Sequence, residues 1–274
     1  MSDIDTVPTY NLQLNPSAFV HDRCEENVCN DHLFAIHLQQ FPALCERGNF
    51  IARRLLHNEL FPEEAISYLE EARSAYLRVL NWTRQNPSIW QPRQSYLLPQ
   101  AFADGQLRYP KRADSYASVV QAADCNYMRT AWIVLLTIMA KVRRRLEIFM
   151  DPALARRRIE TAEIYEKEIQ DLADDICASI PYYMSPNHRL DMADPASILK
   201  YYPHTAADLR LPVEIGPSVI RSLCHLMYPL IHTSIAETIP VSQRQWARAY
   251  MWILNKQSSG PTQLSWPFPM GGVR

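Results

Sequence analysis

Twenty prolines stand against only six glycines in this 274-residue chain, and the prolines are bunched. Proline removes a backbone donor and obstructs a helix interior, so the gaps between prolines mark where long helices are allowed. Long gaps of this kind include residues 63–86, 111–151, 153–180 and 241–260. They exceed the usual length of a strand and are rich in Ala, Leu, Glu, Arg and Met, all good helix formers. The shortage of glycine also disfavours a β-sandwich or a nucleotide-binding α/β fold, which use glycine at their turns. The expected class is all-α: a single helical domain of about eight to ten helices with two long proline-rich loops.

Within the first gap, Pro62 suits a first helical turn, and Glu63 and Glu64 follow it where the helix dipole favours acids. Ile66, Leu69, Ala72, Tyr76, Val79/Leu80 and Thr83 recur at steps of three and four, with Glu70, Glu71, Arg73 and Arg78 opposite. The spacing predicts an amphipathic helix from Pro62 to Gln85. A second helical window runs from about Ser115 to Met150. Its middle, Trp132 to Leu136, is apolar on every face, which predicts the central buried helix. Asp151-Pro152 is a good helix start, and Pro181 is expected to end that helix. Further helices are expected near 31–57, 217–235 and 241–258.

The proline-rich connections are 87–110, with four prolines, and 181–217, with six prolines and Tyr182, Tyr183, Tyr201 and Tyr202. Connections this long often carry function or cover a pocket. Residues 1–20 read as a flexible arm, 21–260 as the helical domain and 261–274 as a tail. With 28 Lys+Arg against 29 Asp+Glu, the net charge of −1 excludes a strongly basic nucleic-acid footprint. The apolar run Ala131–Ala140 falls well short of the ~20 residues a membrane-spanning helix needs. No basic-then-apolar leader opens the sequence, so an intracellular protein, nuclear or cytoplasmic, is expected.

Several constellations bear on chemistry. His21, Cys24, Cys29, His32 and His37, with Cys45 beyond, lack the paired CxxC spacing of a zinc site and read instead as capping residues and buried thiols. Asp171, Asp174 and Asp175 share one helical face, a type able to hold Mg²⁺ through carboxylates, as class I terpene cyclases do. The second acidic motif those enzymes need is missing, so a solvated acidic face is preferred and no metal or other cofactor is expected. The basic runs Lys141–Arg145 and Arg156–Arg158 read as surface charge beside Glu147 and Glu160. GxGxxG, P-loop, HExxH and GxSxG patterns are all absent, which disfavours nucleotide-dependent and standard hydrolase chemistry. Cys177 and Cys224, the latter beside His225, read as buried thiols rather than nucleophiles.

The aromatic residues suggest more than the ionisable ones. Trp132, Tyr182, Tyr183, Trp246 and Trp252 are candidates to line an apolar ligand pocket between helices, the alternative being plain core. If the pocket is catalytic, Asp171, Asp174, Asp175, His188, His204, Tyr182 and Tyr183 are the acid–base candidates.

Three segments together carry a family resemblance. Cys125-Asn-Tyr-Met-Arg-Thr-Ala-Trp132 resembles a helix with an Asn/Trp-x-Tyr-Arg-like start. Leu172-Ala-Asp-Asp-Ile-Cys-Ala-Ser-Ile-Pro-Tyr182 resembles an "ADDICASVPY"-like helix end. Leu226-Met-Tyr-Pro-Leu230, followed by Gln245-Trp246-Ala-Arg248 and Ile253, resembles an "LLWPL…RxW…I" pattern. In this order, over roughly residues 60–264, they are similar to the fungal-specific regulatory region found downstream of a binuclear zinc-cluster DNA-binding domain. The resemblance implies a fungal protein and an all-helical body. The zinc cluster itself needs six cysteines in two CxxC-led halves, whereas only Cys24, Cys29 and Cys45 lie near the start, with acidic Glu25 and Glu26 beside them.

The function this implies is a regulatory-domain-like protein without its own DNA-binding module, binding a small apolar molecule or another regulator in a secondary-metabolite pathway. No direct sequence-specific DNA binding and no membrane association are expected, and homodimer formation stays open. The alternative is a cofactor-independent biosynthetic enzyme, a cyclase or isomerase using a helical apolar pocket.

Overall fold

The computed structural model describes residues 28–57, 59, 61–97, 112–148, 161–185 and 217–258. In chain order the elements are α1 (Val28–Leu56), α2 (Pro62–Gln85), α3 (Pro87–Trp90), β1 (Gln94–Leu97), β2 (Arg112–Ser115), α4 (Val119–Glu147), α5 (Ala162–Met184), α6 (Pro217–Ile235) and α7 (Val241–Ser258). The class is all-α, as expected. Seven helices lie among the described residues, fewer than the eight to ten anticipated for the whole chain. α1 and α4 each run 29 residues, α1 straight through Pro42.

α4 is the axis of the fold and packs against α1, α2, α5 and α6, while α7 pairs with α6. Its all-round apolar middle requires this, since Trp132, Ile133, Leu135, Leu136 and Met139 are buried and need neighbours on every side. α2 presents Ala65, Tyr68, Leu69, Ala72, Tyr76, Val79 and Thr83 to the interior, close to the predicted stripe. Full burial of each large side chain contributes about 1.5–3 kcal/mol. One contiguous core joins Phe41 on α1 to Tyr250 on α7.

Four sequence expectations need correction. The helix expected from Ser115 begins at Val119. The preceding strand β2 pairs antiparallel with β1, Gln94 opposite Ser115 and Leu97 opposite Arg112. The start is set by Ser118, whose hydroxyl accepts the Gln121 backbone N–H at 3.1 Å, whereas Ser115 is held in the β2 ladder opposite Gln94. Pro181 does not end its helix: α5 continues to Met184. Proline costs the hydrogen bond its missing N–H would have made, yet its carbonyl still accepts from Ser185 N at 2.9 Å. Arg73, expected on the solvated side of α2, is half-buried and makes a bidentate pair with Glu168 of α5 at 2.8 and 2.9 Å. Arg143, read as surface charge, is 1% exposed, with Glu147 at 3.6 Å. Its neighbours diverge, Arg144 reaching Glu166 of α5 and Arg145 donating to the Ala52 carbonyl of α1.

The proposed arms at 1–20 and 261–274, and the helix start at Asp151-Pro152, lie outside the described residues.

Candidate functional site

Among the described residues, a cluster of buried polar side chains lies where α4, the far half of α5 and the small sheet meet. On α4, Asn126 and Arg129 stand one turn apart and face α5. On α5, Asp175 and Ser179 stand at i and i+4 and face back. Asn126 is fully buried and donates its amide to Ser179 Oγ at 2.8 Å, and that hydroxyl donates to the Ile176 carbonyl at 2.7 Å. Arg129 donates from Nη1 to Asn126 Oδ1 at 2.9 Å and to the Tyr116 hydroxyl at 2.8 Å. Its Nε lies 3.4 Å from Asp175 Oδ2.

The sheet adds a second arginine. Arg112 Nη2 donates to Asp175 Oδ1 at 2.5 Å, so one carboxylate is shared between two guanidiniums. Arg112 also donates to both oxygens of Asp114, at 3.0 and 3.1 Å, and Ser95 of β1 donates to Asp114 Oδ1 at 2.7 Å. Asp114 is wholly buried, and Arg112 keeps it from being a buried lone charge. Two arginines and two aspartates thus balance within one cluster.

Burial by itself pulls both guanidiniums toward neutrality. At Arg112 the Asp114 hydrogen bond and the Asp175 charge outweigh it, and at Arg129 the Tyr116 oxygen and Asp175 do so, so both are shifted upward and stay charged. Burial also pushes the Tyr116 and Tyr183 phenols up and moves the Cys125 thiol up to about 11. At neutral pH these three are uncharged. The set is therefore built to hold elements together by charge and hydrogen bonds, with no thiolate or phenolate to act as a nucleophile.

A smaller polar contact docks the last helix. Gln243, fully buried in the first turn of α7, donates to Asp174 Oδ1 at 2.8 Å and approaches Cys177 Sγ at 3.7 Å. Burial raises the Cys177 thiol strongly. Of the three aspartates expected on one face, Asp171 is exposed, Asp174 faces α7 and Asp175 faces the arginines. Among the described residues no three His, Cys, Asp or Glu side chains converge as metal ligands would.

The aromatic candidates fall in separate places. Trp132 packs edge-on against Tyr76 of α2, with ring centroids 5.6 Å apart. Trp246 tilts against Tyr250 at 4.4 Å, inside α7. Tyr182 meets Tyr116 at 5.4 Å and Tyr183 at 6.0 Å, which brings both tyrosines to the edge of the arginine cluster. His188 and His204 lie outside the described residues, as do His21 and Cys24 and the side chains of Trp252, Cys29, His32 and His37.

Sequence reasoning missed Arg112, Asp114, Asn126, Arg129 and Gln243 as members of a site. A further residue, Gln121, was also missed although it had a local signal. Ser118-Val-Val-Gln121 has the S-x-x-Q form of a capping box. Gln121 uses its side chain widely: Nε2 donates to the carbonyls of Ser88, Ile89 and Gln91 at 2.9, 3.1 and 3.2 Å, and Oε1 accepts from Ala117 N at 2.7 Å.

Among the described residues no helix is long and apolar enough to cross a membrane. No protein-family model, no curated protein and no solved structure matches this chain.

Proposed function

We propose that this chain is a fungal regulatory-domain-like module that binds a small apolar molecule or another regulator, carries no DNA-reading head of its own and serves a secondary-metabolite pathway. One observation supports this above the rest. Two of the three segments that carry the family resemblance, Cys125–Trp132 and Leu172–Tyr182, lie on α4 and α5 and are joined by the Asn126–Ser179 and Arg129–Asp175 contacts. The resemblance therefore concerns residues that make the scaffold. Asp174, Asp175, Cys125 and Cys177, which an enzyme reading would draw on, have their polar atoms engaged or their thiols held protonated. A scaffold of this kind suits recognition by shape, with apolar helix faces as the binding surface.

The test is deletion of the gene in the source organism, with transcripts and metabolites read from the same cultures. A set of transcripts falling together is the expected result. Unchanged transcripts with one intermediate accumulating would overturn the proposal in favour of a cofactor-independent cyclase or isomerase, with that intermediate as its substrate.

A further inference from the structure

A second set of aromatic and polar side chains lies away from the arginine cluster, where α4 meets α6 beside α1. Tyr127 of α4 and Tyr228 of α6 bring their ring centroids within 5.9 Å, splayed at 34°. His232, one turn on from Tyr228, meets that ring edge-on at 4.6 Å. From α1, Cys45 lies close enough to bear on the Tyr228 hydroxyl. His232 and Cys45 are buried while both tyrosines are half-buried, so the cluster runs from the interior out to the surface. Met227 and Ile231, one turn apart on α6, are likewise half-buried. On α4, Tyr127 and Arg129 are separated by about 200° of helix rotation, which puts the two clusters on opposite sides of the same helix.

Burial pushes the Tyr228 phenol up to about 12, with Tyr127 and Cys45 adding to it, and raises Cys45 to about 12. Burial pushes His232 the other way, down to about 4. At neutral pH these three groups are therefore uncharged. A charged ligand would find no counter-charge among them and would bring its own desolvation cost. An uncharged ligand meets aromatic faces and, in the Tyr228 hydroxyl, a donor and acceptor that can orient it. Apolar walls with a few converging polar groups, set between helices, are the usual make-up of a small-molecule site. With no thiolate or phenolate present, this one is equipped for binding and not for covalent chemistry.

We infer that the Tyr127–Tyr228 face, backed by His232 and Cys45, binds an uncharged aromatic small molecule that lays its ring against the two tyrosines. This rests on the proposed function and deepens it, giving the small apolar molecule a place and a chemical class. The face lies apart from Trp132, which packs on Tyr76 of α2, and from Tyr182 and Tyr183 beside Tyr116.

The probe N-phenyl-1-naphthylamine, uncharged, aromatic and fluorescent on leaving water, tests the site in the purified full chain. Saturable binding of one probe per chain is expected. Tyr127→Leu and Tyr228→Leu keep apolar bulk and remove one ring each, so each should weaken binding about three- to tenfold. Phe61→Ser, at an apolar residue 79% exposed elsewhere on the chain, should leave the affinity unchanged. The anionic analogue 8-anilinonaphthalene-1-sulfonate should not displace the probe. If one leucine variant does not fold by circular dichroism, the other decides. Absence of saturable binding, wild-type affinity in the leucine variants, an equal loss in Phe61→Ser or displacement by the anion would each overturn the inference. None of these results touches the proposed function, which the transcripts of the deletion strain decide independently of where a ligand sits.

Discussion

Asn126 on α4 and Ser179 on α5 share a 2.8 Å hydrogen bond with neither side chain open to solvent. The same Asn126 amide oxygen receives Arg129, so one neutral side chain both links the two central helices and helps seat a buried cation. Asn126→Ala removes an acceptor from Arg129 and a donor from Ser179 at once. Leaving such groups unpaired costs about 1–3 kcal/mol. The urea midpoint should fall accordingly, with the slope of the transition unchanged.

Gly48 sits on α1 where a Cβ would meet the Tyr68 hydroxyl and ring and, at 2.5 Å, the Ile138 Cγ2. Tyr68 is fully buried and cannot swing aside. Alanine ordinarily gains about 1 kcal/mol over glycine in a helix. Here overpacking should reverse the sign, and Gly48→Ala should destabilise by about 1–3 kcal/mol. Combining it with Tyr68→Phe removes one of the clashing atoms. The double variant should therefore lose less than the sum of the two single changes, measured as a double-mutant cycle in urea.

His232 is buried in α6 against Tyr228, ring centroids 4.6 Å apart, and burial pushes its pKa down from the ordinary 6.5 to about 4. Between these values the unfolded chain binds a proton that the folded protein refuses. The contribution is complete above pH 6.5, is lost as pH falls toward 4 and changes no further below that. The loss from this one group approaches roughly 3 kcal/mol. Urea unfolding at pH 7 and pH 4.5 should show it, and His232→Gln should lose less stability than the wild type over the same interval.

Three cysteines should be inert in the native protein. Burial raises Cys45 to about 12 and Cys125 to about 11, and Cys177 higher still. Thiolate is the reacting form, and all three are also sterically covered. Peptide-resolved alkylation with iodoacetamide at pH 8 should label each at least about 100-fold more slowly than in urea. Rapid labelling of Cys177 in buffer would contradict the docking of α7 through Gln243.

The helices were legible because their causes are local. Pro62 with Glu63 and Glu64 marks the start of α2, and the steps from Leu69 to Thr83 mark its inner face. The all-apolar stretch around Trp132 marks the axis of the bundle. The polar cluster was not legible because its causes are distant. Asp175 stood out as one of three carboxylates on a helix, yet its partner Arg112 lies 63 residues away in a strand of four residues with no alternating pattern. Arg143 shows the same limit. It sits among other basic residues, and only the tertiary packing buries it. Pro181 misled for a different reason, since a proline one turn from a helix end gives up one hydrogen bond and need not stop the chain.

The double grip of Gln121 on Gln91 and Ala117 has a consequence for engineering. The excursion between them is closed at its neck by this side chain and by the β1–β2 ladder, so whatever chain length lies beyond the ladder is decoupled from the register of α4. Lengthening a closed loop costs only about 0.6 kcal/mol per doubling. A fluorescent or affinity insert placed between residues 97 and 112 should therefore leave the helical body intact, while the same insert in a Gln121→Ala background should loosen α3 and the start of α4 together.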